Sequence, residues 1–128
     1  MKRRDGAGAG AAPAILLVEN NAAMRALIRS LVETLGPVIH ECETGESAVE
    51  AYARLRPDCV LMDIKMGAMD GIAATRAIRR SDPDARVIII TEHGEERYRR
   101  AARDAGASGF LLKENLLELP RVVEGLLE

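Results

Sequence analysis

The chain has 128 residues, 48% hydrophobic and 30% charged, which is the composition of one folded domain with its own core. Aromatic residues make up only 2%, so that core must be aliphatic. The net charge of −2 does not favour a nucleic acid or membrane partner, and no apolar run reaches transmembrane length, so we expect neither.

The first 13 residues, MKRRDGAGAGAAP, combine a basic start with small residues. Alanine and glycine lack the large apolar side chains of a signal-peptide core. Residues 1–13 are therefore predicted to be a disordered tail, and residues 14–128 to form one domain.

Apolar runs suited to strands alternate with segments whose apolar residues repeat at helical spacing. The predicted strands are Ala14 to Val18, Val38 to Cys42, Cys59 to Met62, Val87 to Ile90 and Ser108 to Lys113. Helices are predicted over about 21–35, 44–55, 70–80, 95–105 and, with Pro120 in its first turn, up to 127. Asn20 or Asn21 and Thr44 can cap two of them, and Gly106 ends another. This alternation predicts an α/β fold with a parallel sheet covered by helices on both faces.

Polar side chains end four of the predicted strands. The first strand is followed by Glu19 and Asn20, the third by Asp63, the fourth by Thr91, and the fifth ends in Lys113. In open parallel sheets, ligands bind beyond the carboxyl ends of the strands. We therefore expect these side chains to meet at one edge of the sheet.

Their chemistry suits the transfer of a phosphoryl group. The Asp63 carboxylate is the expected nucleophile, which forms an acyl phosphate. Glu19 and Asn20 offer oxygens to a magnesium ion, which prefers such ligands. Lys113 offsets charge on the phosphoryl oxygens, and Thr91 donates a hydrogen bond to one of them.

Four stretches, ILLVENNAAMR, VLMDIKMGAMDG, VIIITEHG and AGASGFLLK, resemble the receiver domain of bacterial response regulators. The resemblance implies a doubly wound, five-stranded, flavodoxin-like fold that a histidine kinase or phosphotransfer protein phosphorylates on Asp63. It implies that Thr91 and Lys113 contact the phosphate, and that Thr91 and Phe110 form a switch, although Phe110 also suits a plain core position. It implies Mg²⁺ as cofactor and no catalysis beyond the domain's own phosphoryl transfer and autodephosphorylation.

The sequence departs from the family pattern at the metal site. Asn20 stands where a second acid is usual, so we expect weak Mg²⁺ binding. Lys65, two residues after Asp63, belongs to the metal-site residues, and its ammonium either enters the pocket and repels the cation or faces solvent.

Other departures affect access to the site and the backbone around it. Glu92 replaces the usual small residue after the threonine and either faces solvent or repels an incoming phosphate. His93 positions hydrolytic water or faces solvent. Glu114 replaces the family's proline after Lys113, so the bond between them is predicted to be trans.

Two interpretations of function follow. The first is a phosphorylatable signalling switch. The alternative is a degenerate receiver that acts as a phosphorylation-independent interaction or dimerisation module, which Asn20, Lys65 and Glu92 favour. In this family the fourth helix, fifth strand and last helix form the output surface, where a partner or a second copy is expected. No output domain follows, which predicts a single-domain regulator or an excised receiver.

Cys42 and Cys59 lie in apolar runs without metal-ligand spacing. This favours reduced core thiols and a cytoplasmic location.

Overall fold

A computed structural model describes residues 12–128, within which five strands alternate with five α-helices. The predicted tail, residues 1–13, lies outside the described residues except for its last two positions. In chain order the elements are β1 (Ala14–Val18), α1 (Ala22–Glu33), β2 (Val38–Cys42), α2 (Gly45–Leu55), β3 (Cys59–Met62), α3 (Gly71–Ser81), β4 (Val87–Thr91), α4 (Glu96–Asp104), β5 (Gly109–Leu112), a 3-10 helix (Lys113–Glu118) and α5 (Leu119–Leu127). No helix in this range is long and apolar enough to span a bilayer.

All described strands join one parallel sheet in the order β2-β1-β3-β4-β5. This confirms the predicted doubly wound α/β fold. The central strands β3 and β4 are buried along their whole length, and β1 is buried from Ile15 onward. Their sequences are continuous apolar runs because helices cover both faces of the sheet.

Alternate strand residues pack into two cores, one on each face. The first lies under α2, α3 and α4 and includes Leu16, Val60, Met62, Tyr52 and Ile78. The second lies under α1 and α5 and includes Leu17, Leu61, Ile28, Leu119 and Val123. Both cysteines are free thiols, and burial raises the pKa of Cys59 to about 12, which makes it an inert core residue.

Two helices begin at predicted capping side chains, and a third is followed by the predicted glycine. Asn21, not Asn20, caps α1, because its side chain accepts a hydrogen bond from the Met24 amide. Thr44 caps α2 in a reciprocal pair with Ser47. Gly106, at φ +95°, follows α4 in the left-handed conformation that favours glycine.

The prediction for the end of the fifth strand was wrong. β5 ends at Leu112, and Lys113 already begins the 3-10 helix, which the sequence analysis did not predict. The register explains this, because Leu112 pairs with Thr91, the last residue of β4, and no pairing continues beyond it. The Lys113–Glu114 bond is trans as predicted.

Candidate functional site

The carboxyl ends of β1, β3, β4 and β5 carry the predicted site residues. The sheet continues one residue beyond two of these strands: the Glu19 amide donates to the Cys42 carbonyl, and the Asp63 amide donates to the Val18 carbonyl, both at 3.1 Å. These bonds fix the two acidic residues side by side. Thr91 is the last residue of the neighbouring strand β4.

Lys113 joins the two carboxylates. Its Nζ lies 2.9 Å from Glu19 Oε1 and 3.5 Å from Asp63 Oδ2. All three side chains are largely buried, with exposed fractions of 11% for Lys113, 1% for Glu19 and 9% for Asp63. The arrangement therefore gathers two carboxylates and one ammonium in a poorly solvated space, with an excess of one negative charge.

This environment changes the proton affinities of the group. Burial raises the pKa of Asp63, and the neighbouring charge of Glu19 raises it further, while Lys113 and the amide of Ile64 oppose the change. Burial lowers the pKa of Lys113, but contact with Glu19 and the charge of Asp63 outweigh burial and raise it overall. Lys113 is thus held as a cation.

Hydrogen bonds orient the remaining reactive atoms. Asp63 Oδ1 accepts from the Ile64 amide at 2.8 Å, which leaves Oδ2 toward Lys113. Thr91 is fully buried, and its Oγ1 accepts from the His93 amide at 3.1 Å. A hydroxyl that accepts one bond still carries its own donor hydrogen, so Thr91 can also donate.

Gly71 brings α3 against the backbone of Asp63. A Cβ at this position would lie 1.8 Å from the Asp63 carbonyl oxygen, and the Gly71 amide donates to the Ile64 carbonyl at 2.8 Å. Only glycine allows this approach. Gly71 was not among the predicted site residues, although the Asp-Gly pair at the predicted start of a helix is a signal that indicates such a position.

Arg25 is a second residue that the sequence analysis missed. Its guanidinium donates to the Glu19 carbonyl at 2.7 Å and to the Glu41 carboxylate at 2.8 Å. It thereby ties the loop after β1 to α1 and β2. Periodicity alone gives an arginine of this helix no role, because the contact depends on how β2 pairs with β1.

The other predicted residues surround the mouth of the site. Asn20 is exposed, while the neighbouring Asn21 amide donates to Glu19 Oε2 at 3.0 Å. Glu92 is exposed, and its charge is among those that raise the pKa of Lys113. Asn20 and Glu92 therefore flank the buried pair rather than belonging to it.

Lys65 and His93 meet at a tyrosine instead of at Asp63. The exposed Lys65 places its Nζ 5.2 Å from the centroid of the Tyr98 ring, and the His93 ring lies 5.2 Å from the same ring. Of the two positions expected for Lys65, the structure thus has the ammonium outside the carboxylate pocket. Tyr98 is a further residue to which the sequence analysis gave no part in the site.

Phe110 lies half-buried on β5 beside α4. Its ring packs partly against the first core, and the Arg99 guanidinium lies 4.6 Å from the ring centroid. Arg99 Nε also donates to the Gly94 carbonyl at 3.1 Å. One arginine therefore connects Phe110 to the loop that follows Thr91.

The donor set suits a magnesium ion. Within residues 12–128, no group of three or more His, Cys, Asp or Glu side chains is placed to hold a metal. The ligands predicted from the sequence are the two carboxylates, Glu19 and Asp63, and the Asn20 amide. Glu19 Oε1 is buried and lies 2.9 Å from the ammonium of Lys113, while Oε2 accepts from the Asn21 amide at 3.0 Å. Carboxylate oxygens are natural ligands for a hard cation.

A cavity of about 470 Å³ lies elsewhere, between β2 and α2, with Ile39, Cys42 and Ala51 among its lining residues. It contains none of the strand-end residues of β3, β4 or β5.

Sequence comparison finds one family and many relatives. Residues 15–124 match the family described as response regulator receiver domain. Chemotaxis protein CheY of Halobacterium salinarum is 38% identical over 112 residues, which cover 88% of this chain and 92% of that protein. CheY of Bacillus subtilis is 38% identical over 113 residues with the same coverage of both chains.

Solved structures agree with the sequence relatives. A LuxR-family two-component response regulator from Aurantimonas sp. is similar with a TM-score of 0.86 and 34% identity, covering 91% of this chain and 85% of that one. A chain of the CheX-CheY-BeF3-Mg²⁺ complex from Borrelia burgdorferi is similar with a TM-score of 0.83 and 27% identity, covering 92% of both.

Proposed function

The chain belongs to the receiver-domain family of response regulators, and we propose that it is a signalling switch that a histidine kinase or phosphotransfer protein phosphorylates on Asp63. Accepting a phosphoryl group is general in this family, whose members are typically signalling modules rather than enzymes. The observation that carries the assignment to Asp63 is its buried carboxylate, 3.5 Å from the Lys113 ammonium and beside the buried Glu19.

The transfer follows from the orientation of Asp63. Its Oδ2 faces Lys113, while Oδ1 is engaged by the Ile64 amide. Oδ2 attacks the phosphorus of a phosphohistidine, the new O–P bond forms, and the N–P bond breaks with its electron pair left on the imidazole. Lys113 and the Thr91 hydroxyl then contact the phosphoryl oxygens.

Glu19, Asp63 and Asn20 would hold Mg²⁺. When bound, the ion supplies positive charge that offsets the repulsion between the carboxylates and the incoming phosphoryl group. Glu19 would contribute a buried carboxylate oxygen, and Asn20 a neutral amide oxygen. Because Asn20 adds no charge, we propose that the ion binds weakly.

The charges at two positions, Asn20 and Glu92, favour the alternative, a phosphorylation-independent interaction module. Asn20 is exposed and uncharged where the family usually has an acid, and Glu92 places a negative charge at the mouth of the site. In either function the partner surface is α4, β5 and α5. The basic side chains of α4 that face outward, Arg97, Arg100 and Arg103, suit an acidic partner protein.

The decisive experiment is phosphorylation with a small phosphodonor, acetyl phosphate, in the presence of Mg²⁺, followed by mass spectrometry of the peptides. We expect one phosphoryl group per chain, on Asp63. Asp63→Asn should abolish the labelling, whereas Asp84→Asn, at an exposed turn, should leave it unchanged. Labelling on another residue, or equal labelling of Asp63→Asn, would contradict the assignment. An unlabelled wild-type chain would favour the alternative module.

A further inference from the structure

We propose that Tyr98 is a positioning residue that holds the Lys65 ammonium away from Glu19 and Asp63, so that these carboxylates stay open to a divalent cation. The inference rests on the proposed function for the cation site. It assigns a role to an aromatic side chain of α4 that touches none of the reacting atoms.

The contacts of the Tyr98 ring carry the proposal. Lys65 Nζ lies 5.2 Å from the ring centroid, within the distance at which a cation is attracted to the face of an aromatic ring. Tyr98 is itself half-buried on α4 and packs against the first core, so the ring is anchored. Lys65, by contrast, is exposed on the loop after β3.

The carboxylates are the competing position for this ammonium. Lys65 follows Asp63 by only two residues, and a lysine has a long, flexible stem. The buried group of Glu19, Asp63 and Lys113 has an excess of one negative charge, which a second ammonium would neutralise. Because Mg²⁺ would use the same charge, an inward Lys65 and the metal exclude each other.

The ring holds Lys65 only loosely, because other basic groups share it. The Arg97 guanidinium carbon lies 4.9 Å from the ring centroid, and the His93 ring lies 5.2 Å away. Repulsion between Arg97 and Lys65 partly offsets the attraction to the ring. An exposed cation–π contact changes an equilibrium by about two- to fivefold, which is the size of effect expected here.

The first test locates the Lys65 side chain by NMR in protein without added metal. The face of an aromatic ring shifts nearby protons upfield, so the Lys65 ε-methylene protons should resonate upfield of those of other lysines in the NMR spectrum of the wild-type chain. The shift should persist in Tyr98→Phe and disappear in Tyr98→Leu. A wild-type chain without this shift would overturn the proposal.

The second test asks whether the contact protects the cation site. Mg²⁺ is titrated into the wild type, Tyr98→Leu, Tyr98→Phe, Lys65→Met and the double variant Tyr98→Leu/Lys65→Met. We expect Tyr98→Leu to weaken Mg²⁺ binding about two- to fivefold and Tyr98→Phe to bind as the wild type does. In the Lys65→Met background, Tyr98→Leu should have no effect.

The double variant separates positioning from structure. Equal weakening by Tyr98→Leu in both backgrounds would mean that the ring acts through the packing of α4, which would overturn the proposal. Arg100→Gln, a change of charge on an exposed residue of the same helix, controls for the general electrostatic field. If the wild type and Lys65→Met both fail to bind Mg²⁺, the cation site of the proposed function is wrong and the competition falls with it. The ring-current shift would still decide the Lys65–Tyr98 contact separately.

Discussion

Asn20 removes one negative charge from the proposed metal site, where the family usually has a second acid. It is exposed at the mouth and offers one amide oxygen, whereas its neighbour Asn21 is occupied in capping α1. The affinity for a divalent cation depends on how many negative charges surround it. A single substitution can therefore test whether charge, rather than geometry, limits the binding of Mg²⁺.

We predict that Asn20→Asp binds Mg²⁺ more tightly, by on the order of 1 kcal/mol, because a full negative charge is added near a partly buried site. Titration at fixed ionic strength measures the change. Asn21→Asp is the matched control: it adds the same charge one residue further along and still caps the helix. Equal affinities for Asn20→Asp and the wild type would refute the charge argument, and equal gains in both variants would refute its assignment to position 20.

The nearby residues differ in how far the sequence could reveal them. The placement of Glu19, Asp63, Thr91 and Lys113 at the carboxyl ends of strands was predictable because each lies where an apolar run ends. Tyr98 was not, because its role depends on the rotamer of Lys65, a residue 33 positions earlier in the numbering of the chain. Contacts between a loop and a helix of this kind carry no periodic signal in either segment.

At the scale of elements, strands were predicted best. The bounds of β1, β2 and β3 agree with the sequence prediction. β1 and β3 are short apolar runs with breakers or polar residues at their ends, whereas β2 contains His40 and Glu41 and is the less apolar strand. The 3-10 helix escaped prediction, since its two leucines suit a loop or the start of α5 equally well. It begins where strand pairing ends, after Leu112, and pairing is not visible in a local pattern.

The junction between β3 and α3 depends on one glycine. We predict that Gly71→Ala lowers the free energy of unfolding by about 2–3 kcal/mol, because its Cβ would overlap the Asp63 carbonyl and the backbone must move. Urea unfolding monitored by circular dichroism measures this.

Gly125→Ala is the matched control for Gly71→Ala. Gly125 lies inside α5 with no atom within 4 Å of an added Cβ, so alanine should raise the free energy of unfolding by up to about 1 kcal/mol. If Gly71→Ala is as stable as the wild type, the loop that carries Asp63 adjusts freely, and the glycine does not fix the site.

At the scale of the whole molecule, the sheet order is the property that local patterns leave open. Alternating strands and helices predict a parallel sheet, but several strand orders are compatible with right-handed crossovers. The observed order β2-β1-β3-β4-β5 places β1 and β3 side by side at its centre. The pairing of β1 with β3 brings Glu19 next to Asp63, and no local pattern in the sequence specifies that pairing.

That neighbourhood also costs stability. Glu19 and Asp63 are buried together, with one ammonium between them. Burial and the charge of Glu19 raise the pKa of Asp63 above its ordinary value of 3.8, so the folded state holds this proton more tightly than the unfolded chain does. As the pH rises from the ordinary value through the raised one, the ionisation of Asp63 therefore lowers the free energy of unfolding, and the loss persists at neutral pH.

We predict that Asp63→Asn raises the midpoint of thermal unfolding at neutral pH, in buffer without divalent cations, because the amide removes a buried charge and keeps the shape of the side chain. Lys113 retains its contact with Glu19 at 2.9 Å. The gain should shrink as the pH falls and vanish below the ordinary pKa of a carboxyl, where the wild-type Asp63 is also neutral. Asp84→Asn, at an exposed turn, should show no such dependence.

Addition of Mg²⁺ should stabilise the wild type more than Asp63→Asn, since a ligand of the native state raises its stability by mass action. If Asp63→Asn is no more stable than the wild type at neutral pH, Lys113 fully compensates the charges of both carboxylates. The ionised Asp63 then does not destabilise the folded state.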